Sequence, residues 1–169
     1  MPLKHSVAPI SLKQQRVDGL TKMKVLVVDD NATNGRVLHY QLAALDMRHD
    51  YAPSAEKALQ LLRSAAASGT PYRLAILDMQ MPGMDGLALA RAMQSDPMLL
   101  STRKIMLTSL GLRLDPRVMQ DAGISECLFK PVARLFDCLV RIFSEAATSP
   151  SSWPPSKAPT VPAVLVSPV

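Results

Sequence analysis

Polar or charged side chains stand where four short apolar segments of the chain end. Two carboxylates, Asp29 and Asp30, follow the segment KVLVV, and a third, Asp78, ends RLAILD. Thr108 ends KIMLT, and Lys130 ends ECLFK. Clustered carboxylates repel one another unless a cation joins them, and Mg²⁺ is the usual hard cation where phosphate is nearby. A carboxylate in such a site can act as a nucleophile and form an acyl phosphate, while the metal and an ammonium group neutralise the phosphoryl charge.

An alternation of strand and helix patterns must position these side chains. The four segments, with a weaker strand candidate at 47–52, predict five strands, each followed by a helical apolar spacing. Continuous apolar strands favour a parallel sheet with helices on both faces, which is a doubly wound α/β fold. The helices are predicted to begin, in order, at caps Asn31 and Ser54, then at or after Asp85, at Pro116 and at Pro131.

The polar strand ends are expected to meet in space. Parallel sheets of this kind hold their ligands at the carboxyl ends of the strands. Three carboxylates, one hydroxyl and one ammonium group are therefore predicted to converge on one rim, where the Thr108 hydroxyl can donate a hydrogen bond to a phosphoryl oxygen.

The charge of the chain argues against nucleic-acid binding by the folded part. The formal net charge is +5, but residues 1–22 carry +3 and residues 148–169 carry +1, which leaves +1 for residues 23–147. Basic residues form no cluster with interleaved aromatic residues, so the sequence does not predict a nucleic-acid interface.

Composition along the chain predicts three regions. Residues 1–22 lack a sustained period and are predicted to be a leader or linker, residues 23–147 form the folded domain, and residues 148–169 form a flexible tail rich in Pro and Ser. No apolar run is long enough to span a bilayer, and the N-terminal segment does not resemble a secretory signal. The two cysteines, Cys127 and Cys138, are predicted to be free thiols. We therefore predict a cytoplasmic location, which is compatible with a longer parent protein anchored in the inner membrane.

Four motifs, in this order and spacing, resemble the receiver domains of two-component signalling. They are VLVVDDN, LDMQMPGMDG, LTS and FKP, and the resemblance covers about residues 23–147. It implies a flavodoxin-like fold with sheet order 2-1-3-4-5. It also implies a phosphoacceptor that takes its phosphoryl group from a histidine kinase or a histidine phosphotransfer domain.

The resemblance assigns a Mg²⁺ site to the rim. Asp30 and Asp78 would bind the ion through their side chains, and Asp29 would act through water. The backbone carbonyl of Gln80 would complete the protein ligands.

The resemblance also assigns the phosphorylation chemistry. Asp78 would be the phosphoacceptor, and Lys130 would pair first with it and then with its phosphoryl group. Thr108 would move toward the phosphoryl group, and the bond between Lys130 and Pro131 would be cis. Such a domain catalyses only its own phosphorylation and dephosphorylation, and its last helices are a candidate homodimer surface.

Two departures from the family pattern bear on these roles. Cys127 occupies the position, three residues before the lysine, where the family usually has an aromatic residue that couples to the threonine. Gly35 lies inside the first predicted helix, where glycine costs about 1 kcal/mol relative to alanine, so local looseness is expected there.

Several functions fit the rim, and we favour a receiver within a hybrid sensor histidine kinase. A stand-alone single-domain regulator is the alternative, as is a pseudo-receiver that only binds partners. A phosphohydrolase with an aspartyl nucleophile fits poorly because Gln80, two residues after Asp78, cannot act as its acid or base.

Overall fold

The structure is a computed structural model that describes residues 19–145. Most of the predicted N-terminal linker, up to residue 18, and the whole predicted tail from residue 148 lie outside the described residues. Leu20, which falls within the predicted linker, is buried against the core. Leu20 therefore packs with the folded domain.

Between residues 24 and 145, five strands alternate with five helices, as the sequence predicts. The strands are β1 (Lys24–Val28), β2 (Arg48–Ala52), β3 (Leu74–Asp78), β4 (Arg103–Thr108) and β5 (Glu126–Phe129). The helices are α1 (Ala32–Ala44), α2 (Ala55–Ala67), α3 (Gly86–Ser95), α4 (Pro116–Asp121) and α5 (Leu135–Glu145), and a short 3₁₀ helix at Pro97–Leu99 was not predicted. Among residues 19–145, no helix combines the length and the apolar character needed to cross a membrane.

The sheet is parallel throughout, with the order β2-β1-β3-β4-β5. Alternate residues of β1, β3 and β4 enter different apolar clusters, as the two-residue period of a strand requires. On one face Val25 and Val27 pack with Leu38 of α1 and Leu139 of α5. The opposite face packs against α2, α3 and α4. The doubly wound α/β fold is thus confirmed, and burying each large aliphatic side chain contributes about 1.5–3 kcal/mol to it.

The predicted helix caps are present. The side chain of Asn31 accepts a hydrogen bond from the backbone N–H of Thr33 at 2.9 Å. Ser54 accepts one from the N–H of Lys57 at 3.2 Å. Each such cap contributes about 1 kcal/mol, because it satisfies a backbone donor that the first helical turn leaves unpaired.

The predicted start of the last helix at Pro131 is wrong. Residues 131–134 form a loop, and α5 begins at Leu135. Val132 is buried, and its carbonyl accepts a hydrogen bond from Nε2 of Gln41 on α1 at 2.6 Å. At the start of α5, the N–H of Cys138 donates to the carbonyl of Arg134 at 3.1 Å. The loop thereby joins α1 to the segment that follows the rim lysine.

Candidate functional site

The three predicted carboxylates meet at the carboxyl end of the sheet. Asp29 and Asp30 follow β1, and Asp78 ends β3, which pairs directly with β1. One carboxylate oxygen from each residue lies within 4.8 Å of the others. Asp29 and Asp78 are buried, whereas Asp30 is exposed. Three hard oxygen donors, open to solvent on one side, suit a divalent cation that keeps part of its water shell.

The chain around Asp78 is shaped to hold it at the rim. All residues of β3 are buried, and the N–H of Met79 donates to the carbonyl of Leu107 at 2.8 Å. Helix α3 begins close against this segment because Gly86 has no side chain: a Cβ there would lie 2.2 Å from the Asp78 carbonyl oxygen. Gly83 allows the intervening turn with its φ of 77°. The glycines of this loop therefore position the carboxylate.

Lys130 bridges the two buried carboxylates. Its Nζ lies 2.8 Å from Oδ1 of Asp78 and 3.3 Å from Oδ2 of Asp29. Its backbone N–H donates to the carbonyl of Thr108 at 2.8 Å, which anchors it beside β4. The predicted cis bond to Pro131 is present. The ammonium group is thus placed where charge on a phosphoryl group attached to Asp78 would appear.

Burial and charge shift the pKa values of this pair. Burial raises the pKa of Asp78; hydrogen bonding to Lys130 lowers it and the Asp29 charge raises it, and the net shift is upward. For Lys130, burial lowers the pKa, but the hydrogen bond to Asp78 and the charge of Asp29 outweigh it and the pKa is raised. The Asp78 carboxylate therefore keeps a raised pKa although an ammonium group contacts it, and a further cation beside it would lower that pKa.

Thr108 lies at the same rim, with its hydroxyl bonded away from the carboxylates. The side chain is buried, and the hydroxyl donates to the carbonyl of Leu112 at 3.1 Å. The thiol of Cys127 approaches the Thr108 oxygen at 3.9 Å. Burial raises the pKa of Cys127, although the contact with Thr108 lowers it, so the thiol stays protonated. The 3.9 Å contact links Cys127 directly to Thr108.

Gln80 lines an opening beside the carboxylates. Its backbone N–H donates to Oδ1 of Asp78 at 3.3 Å. Together with Met81, Pro82 and Leu112 it borders an open cavity of about 500 Å³. The predicted role of the Gln80 carbonyl as a metal ligand stays a prediction.

Sequence reasoning missed Tyr51, which contacts the rim from β2. Its hydroxyl donates to the backbone carbonyl of Asp29. The segment containing Tyr51 was the weakest of the predicted strands, and no local pattern indicates a contact with a residue 22 positions away.

The fold and the rim agree with a family match over most of the folded region. The profile described as the response regulator receiver domain matches residues 25–137. The chain belongs to this family.

Relatives and solved structures support this assignment. The chain is 35% identical over 147 residues to the virulence sensor protein BvgS of Bordetella pertussis, and 32% identical over 114 residues to the hybrid signal transduction histidine kinase L of Dictyostelium discoideum. These alignments cover 83% and 66% of this chain but 11% and 7% of those proteins. A crystal structure of the receiver domain of the Arabidopsis thaliana histidine kinase CKI1 shares the fold, with a TM-score of 0.67 and 23% identity, over 78% of this chain and 96% of that one.

Proposed function

We propose that this domain is a phosphoacceptor in a His–Asp phosphorelay and that Asp78 receives the phosphoryl group. The observation that carries the proposal is the ammonium group of Lys130, 2.8 Å from an Asp78 carboxylate that also belongs to a three-carboxylate cluster. An isolated structural ion pair does not need two further carboxylates beside it. A site that receives a phosphoryl group together with a cation needs carboxylates to bind that cation.

The chemistry of the step follows from these groups. A carboxylate oxygen of Asp78 attacks the phosphorus of a phosphohistidine, the P–N bond breaks, and the imidazole leaves as the acyl phosphate forms. Asp30, Asp78 and the Gln80 carbonyl would hold Mg²⁺ directly and Asp29 would hold it through water, and the ion would supply charge neutralisation when bound. Lys130 neutralises a phosphoryl oxygen directly.

The phosphoryl group would then shift a local equilibrium at Thr108. In the structure the Thr108 hydroxyl is bonded to the Leu112 carbonyl, and a phosphoryl oxygen on Asp78 offers a competing, charged acceptor. If the hydroxyl moves to the phosphoryl oxygen, the loop around Leu112 loses this hydrogen bond. The change reaches β5 through Cys127, whose thiol contacts the same Thr108 oxygen. Signalling thus proceeds as a shift between two conformations.

The parent protein we favour is a hybrid sensor histidine kinase. Two relatives, one a virulence sensor protein and the other a hybrid histidine kinase, support this parent protein. The chain spans a small part of their length. The phosphodonor would be a histidine kinase or histidine phosphotransfer domain in the cytoplasm. A stand-alone regulator is the alternative, and the last helices are a candidate homodimer surface in either case.

Acetyl phosphate or beryllofluoride with MgCl₂ tests the acceptor. We expect intact-mass spectrometry to show one phosphoryl group added by acetyl phosphate to the wild-type chain and to Asp85→Asn, and none on Asp78→Asn. Asp85 is a matched control because it borders the cavity beside Gln80 and caps α3, a role that asparagine retains. No adduct on the wild-type chain, or an equal adduct on Asp78→Asn, contradicts the proposal.

A further inference from the structure

The backbone of Asp29 is held from both sides by residues of β2. The paired register of β1 and β2 ends at Val28 and Ala52. Beyond it, the N–H of Asp29 donates to the Ala52 carbonyl at 3.2 Å, and the Asp29 carbonyl accepts the hydroxyl of Tyr51. Strand β2 therefore continues to hold the chain at the point where the carboxylates begin.

A glycine in α1 makes room for this contact. The ring of Tyr51 lies against Gly35, and a Cβ at that position would stand 2.7 Å from Cε2 of the ring. Gly35 is buried within the helix, where glycine costs about 1 kcal/mol relative to alanine. The expected looseness at Gly35 is therefore replaced by a specific packing requirement, the seat of the Tyr51 ring.

The carbonyl that Tyr51 binds belongs to the peptide group between Asp29 and Asp30. Fixing that group fixes the direction in which the chain leaves β1, and with it the positions of both carboxylates. The Asp29 side chain is also restrained, by the N–H of Asn31 at 2.8 Å and by Lys130. Asp30 is exposed, so the orientation of its peptide group matters more for where its carboxylate points.

We propose that Tyr51 is a positioning residue for the Asp29–Asp30 pair and that its hydroxyl sets the affinity of the rim for Mg²⁺. The inference rests on the proposed function, since it assumes that the rim binds this cation. Groups that orient metal ligands typically change metal affinity by about 10–100-fold. Because Tyr51 acts through the backbone, we expect a smaller change, about three- to tenfold.

Calorimetric titration of the full chain with MgCl₂ measures this effect. Tyr51→Phe keeps the ring against Gly35 and removes the hydroxyl, so the Mg²⁺ Kd should rise about three- to tenfold. Tyr40→Phe is the matched control, because Tyr40 lies on α1 with 71% of its surface exposed, and its Kd should equal that of the wild-type chain.

A second variant approaches the same contact from the helix. Gly35→Ala adds a methyl group where the Tyr51 ring lies and should displace the ring, raising the Mg²⁺ Kd in the same direction. Since alanine favours helix, a loss of Mg²⁺ affinity in this variant cannot be ascribed to a weakened α1. If the circular dichroism spectrum of Tyr51→Phe differs from that of the wild-type chain, the Mg²⁺ Kd of Gly35→Ala decides the test instead.

The dependence of phosphorylation on Mg²⁺ separates positioning from a structural role. With acetyl phosphate, Tyr51→Phe should need about three- to tenfold more Mg²⁺ for half-maximal rate, with a maximal rate within about twofold of wild type. An unchanged Kd in a folded Tyr51→Phe, whether or not its melting temperature falls, overturns the inference. Failure of the wild-type chain to bind Mg²⁺ instead overturns the proposed function.

Discussion

Two lysines at opposite ends of β4 and β5 have contrasting surroundings. Lys130, at the carboxyl end of the sheet, contacts Asp78 and Asp29, and its pKa is raised. Lys104, at the start of β4, is 2% exposed, and its Nζ contacts neutral oxygens, Oε1 of Gln94 at 3.0 Å and the Gly123 carbonyl at 3.4 Å. Burial lowers the pKa of Lys104 to about 8.

The difference shows what distinguishes a site from a buried charge. At the Lys104 end the ammonium group lacks a carboxylate contact among the described residues, so its burial costs stability. At the Lys130 end several charges of both signs are gathered although they also cost desolvation. Charges gathered in this way are consistent with a ligand, whereas a single buried charge is not evidence for one.

The largest expected effect is on phosphorylation. Lys130→Met should slow the phosphorylation of Asp78 by acetyl phosphate on the order of 10²–10³-fold, since it removes one preorganised charge that would stabilise the transition state. Lys104→Met should leave the rate within about twofold of wild type. Single-turnover rates at saturating Mg²⁺ measure both, and equal rates in the two variants would remove the distinction between the ends of the sheet.

Stabilisation by Mg²⁺ should come next in size. At a concentration about 100 times Kd, MgCl₂ should raise the free energy of unfolding by about 2.7 kcal/mol. Asp30→Asn should lose most of this gain at the same concentration because it removes one ligand, and Lys104→Met should keep it. Urea denaturation with and without MgCl₂ checks the prediction, and a gain in Asp30→Asn equal to that of wild type would argue against a rim site.

Stability of the apo protein should respond to the other lysine. Lys104→Met is expected to raise the free energy of unfolding at about pH 7 by about 2 kcal/mol, because it removes an ammonium group buried among neutral groups. The Lys104 pKa is about 8 in the folded state against 10.5 as the ordinary value, so the unfolded state binds more protons between these values. Wild-type stability should therefore gain a contribution from this group as pH rises through that range, and Lys104→Met should lack it.

Urea denaturation over this pH range compares wild type with Lys104→Met. A difference between them that does not change with pH would mean that the pKa of Lys104 is the same in the folded and unfolded states, as for a well-solvated lysine. That result would end the contrast with Lys130.

The smallest effect on the free energy of unfolding should come from replacing Gln94, which accepts a hydrogen bond from Lys104. Gln94→Met replaces the amide whose Oε1 lies 3.0 Å from Nζ and should lower the free energy of unfolding at about pH 7 by about 1 kcal/mol. In the background of Lys104→Met the same substitution should have little effect. A double-mutant cycle by urea denaturation measures the coupling, and additive losses would show that the two side chains do not interact.

Much of the rim was predictable because its signals are local. Asp78 and Lys130 follow apolar strands in a repeated strand–helix pattern, and parallel sheets bring such ends together. The start of α5 was not predictable in this way, since the Val132 carbonyl is bonded by Gln41, a residue far away in sequence. The burial of Lys104 and the hydroxyl of Tyr51 on the Asp29 carbonyl likewise depend on tertiary contacts that no periodicity encodes.

If the proposed function holds, the acyl phosphate forms on Asp78 and on no other carboxylate of the rim. Borohydride reduction of the chain after acetyl phosphate treatment converts a phosphorylated aspartate to homoserine, which peptide mass spectrometry locates. We expect homoserine at position 78 alone, dependent on MgCl₂. Homoserine at Asp29, Asp30 or Asp85, or its absence from a chain that carries a phosphoryl group, would contradict it.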